Sequence, residues 1–259
     1  MQLRPGGELF QDWDLYSIRF SPSGKLGLIV GENGTIVRSD DGGATWKKVE
    51  SGTTKNLMKV FPVDDQNAVA VGADSTILRT TDGGNTWQSE KSPVLITLFD
   101  VTFVDKNTGW IAGEFATVFG TTDGGQTWNL LTGGKTSDFT IGPYFTVNFS
   151  DAQHGVVAGL AGDVETTDDG GKTWKPAKLP EQSGTYAVAI DPATKKVWAV
   201  GLGGRTFELS SAGQWVAGPR STFNDLTDIA LAGQRAVIVG LNGTILLSDD
   251  AGEKWQVVQ

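Results

Sequence analysis

Short apolar segments alternate with turn-forming residues along the whole chain, and the same order of segments recurs about every 40 residues. In the first copy, runs rich in Val, Ile, Phe and Trp stand at about residues 15–20, 26–30, 35–39 and 46–49, separated by Gly, Asp, Asn and Ser. Such runs between turn residues predict β-strands. No segment keeps the 3.6-residue apolar spacing of a helix over ten residues. The pattern predicts an all-β chain with four strands in each copy.

The copies are counted by a periodic tryptophan, which stands 41, 41, 46, 41 and 40 residues apart at positions 46, 87, 128, 174, 215 and 255. Four antiparallel strands in a unit of about 40 residues are typical of a β-propeller blade. We therefore predict a single β-propeller domain over residues 15–259, after an N-terminal extension at 1–14 in which Leu9 and Phe10 are candidates for an added edge strand. Six blades are predicted, and a seven-bladed propeller is the alternative. The predicted blades lie at about residues 15–50, 56–90, 97–131, 143–177, 184–217 and 225–258.

Five copies carry the Asp-box or BNR repeat, Ser/Thr-x-Asp-x-Gly-x-Thr-Trp, between the predicted third and fourth strands, with Lys254 in the Thr position of the last copy. Its Asp and Trp residues are Asp41 and Trp46, Asp82 and Trp87, Asp123 and Trp128, Asp169 and Trp174, and Asp250 and Trp255. The fifth blade, "ELSSAGQW", lacks the Asp and one residue. We expect the Asp carboxylate to accept backbone N–H bonds across the turn, Gly to adopt positive φ, and Trp to pack between blades.

A calcium site is the alternative reading of these loops. Calcium prefers six to eight oxygen ligands, and a single Asp in each loop offers too few. Because of this shortage of ligands, we interpret the motif as a structural element that closes the hairpin. The neighbouring acids Asp40, Asp168 and Asp249 keep a calcium site open as the alternative.

Composition excludes several kinds of function. The net charge of −9 disfavours nucleic acid and anionic membrane surfaces as partners. No apolar run approaches the roughly 20 residues that span a bilayer, so no direct membrane insertion is predicted. The chain has no cysteine and a single histidine, His154, expected in an exposed turn, so neither a nitrogen- or sulfur-ligated metal site nor a cofactor is predicted.

The repeat "GENGTIVRSDDGGATW", with "ADSTILRTTDGGNTW" and "NTGWIAGEFATVFGTTDGGQTW", resembles the photosystem II stability and assembly factor family over almost all of residues 15–258. The resemblance implies an Asp-box propeller that acts as a non-catalytic scaffold, engaging a membrane protein or its assembly intermediate from the lumenal or periplasmic side. A non-photosynthetic relative in a periplasmic or otherwise extracytoplasmic location is therefore expected, although "MQLRPGGELFQDW" shows no signal peptide. The family's arginine before the box is kept only as Arg38 and Arg79, which we interpret as contacts for an acidic partner segment.

A protein-docking face is predicted on the turns between second and third strands, opposite the Asp-boxes. The turn residues on it are Glu32, Asn33, Asp74, Glu114, Phe115, Leu160, Leu202, Leu241 and Asn242. The long segment 131–144 is expected to enter the same face with Phe139 and Tyr144. Several of these side chains are apolar, which is unusual for turns that contact only water.

A glycoside hydrolase is the alternative function, because Asp-boxes also occur in sialidases. Arg19 lies on a predicted inner strand, but the other arginines do not match a sialidase arrangement. A glycosidase of another type needs two carboxylates about 5–10 Å apart. Asp100 and Asp228 hold equivalent inner-strand positions, but in the third and sixth blades, which six-fold geometry would place far apart.

Overall fold

The computed structural model describes residues 13–136, 140–160, 163–181, 183–191 and 194–258. Within these ranges, 24 β-strands form six four-stranded sheets. Each sheet is a meander in which strands that follow one another along the chain are hydrogen-bonded neighbours. The prediction of an all-β propeller with six four-stranded blades is confirmed, whereas Leu9, Phe10 and Phe139 lie outside the described residues.

The strands match the predicted runs closely. Blade 1 contains β1 Leu15–Phe20, β2 Gly27–Gly31, β3 Ile36–Ser39 and β4 Lys47–Val49; blade 2 contains β5 Leu57–Pro62, β6 Ala68–Gly72, β7 Ile77–Thr80 and β8 Gln88–Ser89; blade 3 contains β9 Leu98–Phe103, β10 Gly109–Gly113, β11 Thr117–Thr121 and β12 Asn129–Thr132. Blade 4 contains β13 Tyr144–Phe149, β14 Gly155–Gly159, β15 Val164–Thr167 and β16 Lys175–Ala177; blade 5 contains β17 Thr185–Ile190, β18 Val197–Gly201, β19 Thr206–Leu209 and β20 Trp215–Ala217; blade 6 contains β21 Leu226–Ala232, β22 Arg235–Gly240, β23 Ile245–Ser248 and β24 Gln256–Val258.

The glycine that ends the second strand is required by a close backbone approach in blades 1, 2, 4, 5 and 6. A Cβ placed on Gly31 would lie 2.2 Å from the carbonyl oxygen of Asp14, and one on Gly201 would lie 2.0 Å from that of Gly184. Both glycines are extended, with φ near ±180°, so the lack of a side chain matters here rather than conformational freedom. The repeated "VG" and "AG" dipeptides of the sequence therefore mark the points where the second strand passes the start of the first.

Residues 13–111, together with Phe119–Leu130, form one compact unit. In this unit the β2 side chains Leu28 and Val30 are fully buried and pack against Leu57, Val60 and Ala70 of blade 2. This apolar seam between two blades accounts for the apolar residues on both faces of β2 and β6, where every residue is buried.

Ala112–Val118 and the described residues from Leu131 onward form a second compact unit. Two apolar clusters of described residues contribute to it. One joins blades 4 and 5 around Val156, Phe207 and Trp215, and the other joins blades 5 and 6 around Trp198 and Ile238. Because the chain divides into two units, its description as one domain over 15–259 stays a prediction.

Blade 6 exposes one of its two faces. Val237, Val239, Ile245 and Leu247 are 38–40% exposed. Val239 pairs with Ile245 across the sheet, as Val30 pairs with Ile36 in blade 1, where both residues are completely buried. Positions that form a seam in blade 1 therefore face solvent in blade 6, and we call this surface the open face of blade 6.

Candidate functional site

Four of the turns between second and third strands share one conformation. Each is a single 3-10 turn, and the four lie at Glu32–Gly34, Ala73–Ser75, Leu202–Gly204 and Leu241–Gly243. Their middle residues, Asn33, Asp74, Gly203 and Asn242, have φ between 51° and 62°. Asn, Asp and Gly adopt this left-handed region most readily, which explains their recurrence at this position. The rigid turns fix where the first side chain of each turn points.

In the second unit these turns place leucines at the surface. Leu160, Leu202 and Leu241 are 41%, 38% and 52% exposed. Leu160 and Leu202 belong to neighbouring blades and approach the same glycine: a Cβ on Gly184 would lie 2.8 Å from Leu202 Cδ1 and 3.9 Å from Leu160 Cδ2. The two side chains therefore form a continuous apolar patch between blades 4 and 5.

Phe223 adds an aromatic ring that the sequence analysis missed. It lies in the segment that links blades 5 and 6 and is 81% exposed. The guanidinium carbon of Arg220 lies 4.2 Å from the centre of its ring, a cation–π contact. The only signal in the sequence is a Phe among polar residues in a linker, "GPRSTFNDL". We refer to Leu160, Leu202, Phe223 and Leu241 as the leucine face.

In the first unit the corresponding turns are polar. The Lys55 ammonium lies 2.5 Å from the Asp74 carboxylate, and both side chains are at least half exposed. Glu32 accepts a hydrogen bond from the Tyr16 hydroxyl at 3.4 Å. Burial, followed by the nearby Glu32 charge, raises the pKa of Tyr16. These turns offer polar and acidic groups, in contrast to the leucine face.

Segment 131–144 packs against a turn of blade 3. The backbone N–H of Gly134 donates to the Thr117 hydroxyl at 2.8 Å, and the N–H of Ala116 donates to the Gly142 carbonyl at 2.9 Å. Glu114 and Phe115 lie on this turn with intermediate exposure, and Phe115 has φ 56°. The segment is therefore held at both ends by backbone hydrogen bonds.

The placement of Tyr144 on the docking face is corrected by the structure. Tyr144 begins β13 and is only 5% exposed. Burial, then the charge and hydrogen bond of the Glu165 carboxylate, raises the pKa of its hydroxyl far above the usual value. The ring belongs to the core, as do Leu57, Leu98 and Leu226, which begin the first strands of blades 2, 3 and 6 and are completely buried.

Arg38 and Arg79 are already engaged within the first unit. The Arg38 Nε donates to the Gly83 carbonyl at 2.9 Å, and its Nη1 lies 3.1 Å from Asp40. The Arg79 Nε lies 2.8 Å from the Glu90 carboxylate. Their side chains are 11% and 17% exposed, so neither presents a free cation for the expected acidic segment.

The Asp-box loops are closed by their own hydrogen bonds. In the first, the Ser39 hydroxyl donates to Asp41 Oδ1 at 2.7 Å and accepts the Gly43 N–H at 2.9 Å. Asp41 accepts the Thr45 backbone N–H at 2.8 Å and the Thr45 hydroxyl at 2.6 Å. The boxes at Asp82, Asp123 and Asp169 repeat these contacts. We call this arrangement the Asp-box clasp.

The clasp lowers the pKa of its carboxyl groups. The Thr173 hydroxyl and then the Thr173 backbone N–H lower the pKa of Asp169 to about 2. Burial acts to raise the pKa of Asp82, but its hydrogen bonds outweigh this and lower it to about 2. The carboxylate oxygens are thus occupied by donors of the same loop. Across the ranges that the structure describes, no three carboxylate or histidine side chains are grouped to hold a metal ion.

The remaining candidates lie in ordinary surroundings. The Asp100 carboxylate of β9 is 3.8 Å from the Lys59 ammonium of β5. Asp228 Oδ1 accepts the backbone N–H of Ile229. The His154 imidazole is exposed in a turn and lies 2.9 Å from Asp151. No helix within the described part of the chain is long and apolar enough to span a membrane.

Comparisons with known proteins agree with this architecture. A family model described as Sortilin, neurotensin receptor 3, matches residues 34–115, and the BNR/Asp-box repeat model matches residues 165–176. A search of curated protein sequences found no match.

Solved structures provide the similarity over the whole chain. YCF48 bound to D1 peptide aligns with a TM-score of 0.73 and 20% identity over 99% of this chain and 88% of that one. YCF48 from Cyanidioschyzon merolae aligns with a TM-score of 0.76 and 22% identity over 97% and 87%. The Niastella koreensis GH74 enzyme aligns with a TM-score of 0.77 and 15% identity over 95% of this chain but 47% of that one. In fold, the chain is a YCF48-like Asp-box β-propeller.

Proposed function

We propose that the protein is a non-catalytic scaffold that docks a protein partner through the leucine face of its second unit. The observation that carries this proposal is the exposure of large apolar side chains, above all Phe223 at 81%, on rigid turns and a linker. Exposed apolar patches on a soluble protein mark interaction surfaces. Aromatic and arginine side chains together, as in Phe223 with Arg220, are enriched among residues that dominate binding energy.

The comparison with solved structures supports a protein segment as the partner. A solved relative of this fold, YCF48, is bound to a peptide. We infer by analogy that the partner of this chain is a protein segment, belonging to a membrane protein or to its assembly intermediate in an extracytoplasmic compartment. Apolar contacts, rather than Arg38 and Arg79, are expected to supply most of the affinity, because both arginines are paired within the protein.

The experiment is affinity capture from detergent-solubilised membranes with a tagged chain, followed by binding of the purified captured protein. Leu202→Asp with Phe223→Asp places two charges on the leucine face. The control is Val216→Asp, which changes a similarly exposed apolar residue on β20 of the same unit. We expect the double variant to lose at least tenfold in affinity and the control to bind like wild type. Equal recovery with the double variant would refute docking through this face.

The location is tested separately. We expect the full-length protein to be accessible to protease added to spheroplasts, and protected in intact cells. Digestion only after lysis of the inner membrane would place it in the cytoplasm and remove the extracytoplasmic part of the proposal.

A glycoside hydrolase remains the second candidate because a GH74 enzyme shares the fold. Asp100 is the most enclosed carboxyl group on an inner strand, at 7% exposure. Hydrolysis of polysaccharide or aryl glycosides by the purified protein, lost in Asp100→Asn, would favour this candidate over the scaffold. If the wild-type protein hydrolyses these substrates no faster than buffer alone does, the result supports the scaffold.

A further inference from the structure

The degenerate Asp-box of blade 5 leaves a cavity that the intact boxes fill elsewhere. The second box glycine packs on the second strand of the preceding blade: a Cβ on Gly84 would lie 3.0 Å from Leu28 Cδ2, and one on Gly125 would lie 3.1 Å from Val69 Cγ2. In blade 6, Gly252 packs in the same way on Trp198. The box glycine is therefore part of the seam between two blades, as well as part of its own hairpin.

Blade 5 has lost this contact. Leu209 stands where the box Ser or Thr should be, since it pairs with Val197 as Ser39 pairs with Gly27. Trp215 follows Leu209 by six residues rather than the seven that separate Ser39 from Trp46. Gly213 has positive φ, but no heavy atom lies within 4 Å of the point where its Cβ would stand. The shortened loop thus fails to reach the preceding blade.

A cavity of about 710 Å³ occupies the space left between blades 4 and 5. One of its lining residues is Val156, which follows the first glycine of β14 as Leu28 follows that of β2, so it is the position an intact box would cover. Val197, Leu209 and Trp215 extend the apolar wall. A cavity of this size is within the range that holds small organic ligands.

The indole N–H of Trp215 lacks an acceptor in the described part of the chain, but it is buried and does not open into the cavity. Trp215 is 6% exposed, and its Nε1 has no hydrogen-bond partner among the described residues. The equivalent N–H of Trp46 donates to the Gly43 carbonyl at 3.0 Å, and that of Trp128 donates to Gly125 at 3.1 Å. The N–H groups of Trp87, Trp174 and Trp255 also lack a partner among the described residues, so the missing acceptor is not specific to blade 5, and Trp215 contributes an apolar ring to the cavity wall.

Cations surround the cavity although the chain carries a net charge of −9. Lys175, Lys178 and Lys195 line it, with Asp168 as the sole carboxylate among the lining residues that the structure describes. Asp168 pairs with Lys175 at 2.6 Å. Lys195 Nζ contacts only a neutral group, the Ser150 carbonyl at 3.3 Å, among the contacts that the structure describes. The lining therefore has an excess of positive charge beside an apolar wall.

We propose that this cavity is a binding site for an apolar ring that bears a carboxylate. The ring would pack against Val156, Val197 and Trp215, and the carboxylate would bind the ammonium groups of Lys178 and Lys195. The ligand is either a free aromatic acid or the C-terminal aromatic residue of a peptide, which share this chemistry. The site lies at the Asp-box end of blades 4 and 5 and is independent of the proposed docking through the leucine face.

The test is isothermal titration calorimetry with 1-naphthoate, with its neutral analogue 1-naphthylmethanol, and with the peptide acetyl-Gly-Gly-Phe. We expect 1-naphthoate to bind with a dissociation constant below about 1 mM and at least tenfold more tightly than the alcohol. Tighter binding of the peptide than of 1-naphthoate assigns the site to a chain terminus, and the reverse assigns it to a free acid. Absence of binding by both acids overturns the proposal, as does equal binding of the alcohol.

Two variants locate the site. Lys178→Glu with Lys195→Glu should weaken 1-naphthoate binding at least tenfold, while Lys172→Glu with Lys254→Glu, which changes net charge equally outside the lining residues, should change it less than twofold. Equal weakening in both pairs would indicate a general charge effect and overturn the proposal. Replacement of Leu209–Trp215 by the blade 4 box sequence "TDDGGKTW" should abolish binding in a folded protein, judged by circular dichroism. Retained binding in that variant would also overturn the site.

Discussion

Removal of one Asp-box carboxylate measures how much a single clasp stabilises its unit. Asp123 accepts hydrogen bonds from the Thr121 hydroxyl at 2.8 Å, the Thr127 backbone N–H at 3.0 Å and the Thr127 hydroxyl at 2.6 Å. Asp123→Ala removes all three without reaching the apolar seam. The matched control is Thr122→Ala, because Thr122 is an exposed neighbour in the same loop.

The magnitude follows from the number of bonds. Each hydrogen bond contributes roughly 0.5–1.5 kcal/mol net, and the lower half of that range applies to a loop in contact with water. We therefore expect Asp123→Ala to lower the free energy of unfolding by about 2 kcal/mol. With a denaturant slope of about 2 kcal/mol per M in urea, the unfolding midpoint should fall by about 1 M. Asp123→Asn keeps one acceptor oxygen and should lose about half as much.

Urea unfolding followed by tryptophan fluorescence reports the midpoint, and the nine tryptophans give a strong signal. Asp250→Ala provides an internal comparison, because Lys254 replaces the box Thr there and the clasp has lost its second hydroxyl donor. Its midpoint should shift less than that of Asp123→Ala. If Asp123→Ala unfolds at the same urea concentration as Thr122→Ala, the clasp does not stabilise the unit and the reasoning fails.

Three further predictions concern pH, packing and an ion pair. The pKa of Asp82 is lowered to about 2, below its unfolded value near 4, so its contribution to stability is complete above about pH 4 and is lost as the pH falls toward 2. The urea midpoint should therefore decrease between about pH 4 and pH 2. A midpoint that stays constant from about pH 5 to pH 2 would contradict this prediction. Gly31→Ala places a Cβ 2.2 Å from a backbone oxygen and should cost roughly 1–3 kcal/mol in a thermal melt, whereas Gly142→Ala, whose nearest atom is at 3.9 Å, should cost less than about 0.5 kcal/mol. Arg79→Ala should lower the free energy of unfolding by roughly 1–2 kcal/mol, because it leaves the Glu90 carboxylate unpaired. The double variant Arg79→Ala/Glu90→Ala should recover part of that loss. If the effects of the two single substitutions simply add in the double variant, the ion pair contributes nothing to stability.

The repeats made the blade architecture predictable from the sequence. The predicted strands of blade 1 at 15–20, 26–30, 35–39 and 46–49 lie within one residue of β1 to β4. Strand boundaries are well determined here because glycine ends the second strand and the Asp-box begins the turn after the third. The local sequence signals for strands and turns recur from blade to blade, and they are sufficient to place these elements.

The candidate site was less predictable because it depends on contacts between distant residues. Arg38 reaches the carbonyl of Gly83, 45 positions away, and nothing near Arg38 in the sequence indicates this acceptor. Tyr144 was expected on a docking loop, but the strand begins at that residue and draws the ring into the core. Phe223 was missed because a lone aromatic residue in a linker has no periodic pattern.

Blade 5 shows what repetition allows over evolutionary time. It has lost the Asp, one residue and the hydroxyl of its box, yet its four strands pair in the same order as in the other blades. The Asp-box clasp can therefore be lost from one blade without loss of that blade's sheet. Because the other blades keep their clasps and maintain the fold, the loop of the altered blade is free to diverge toward a new function.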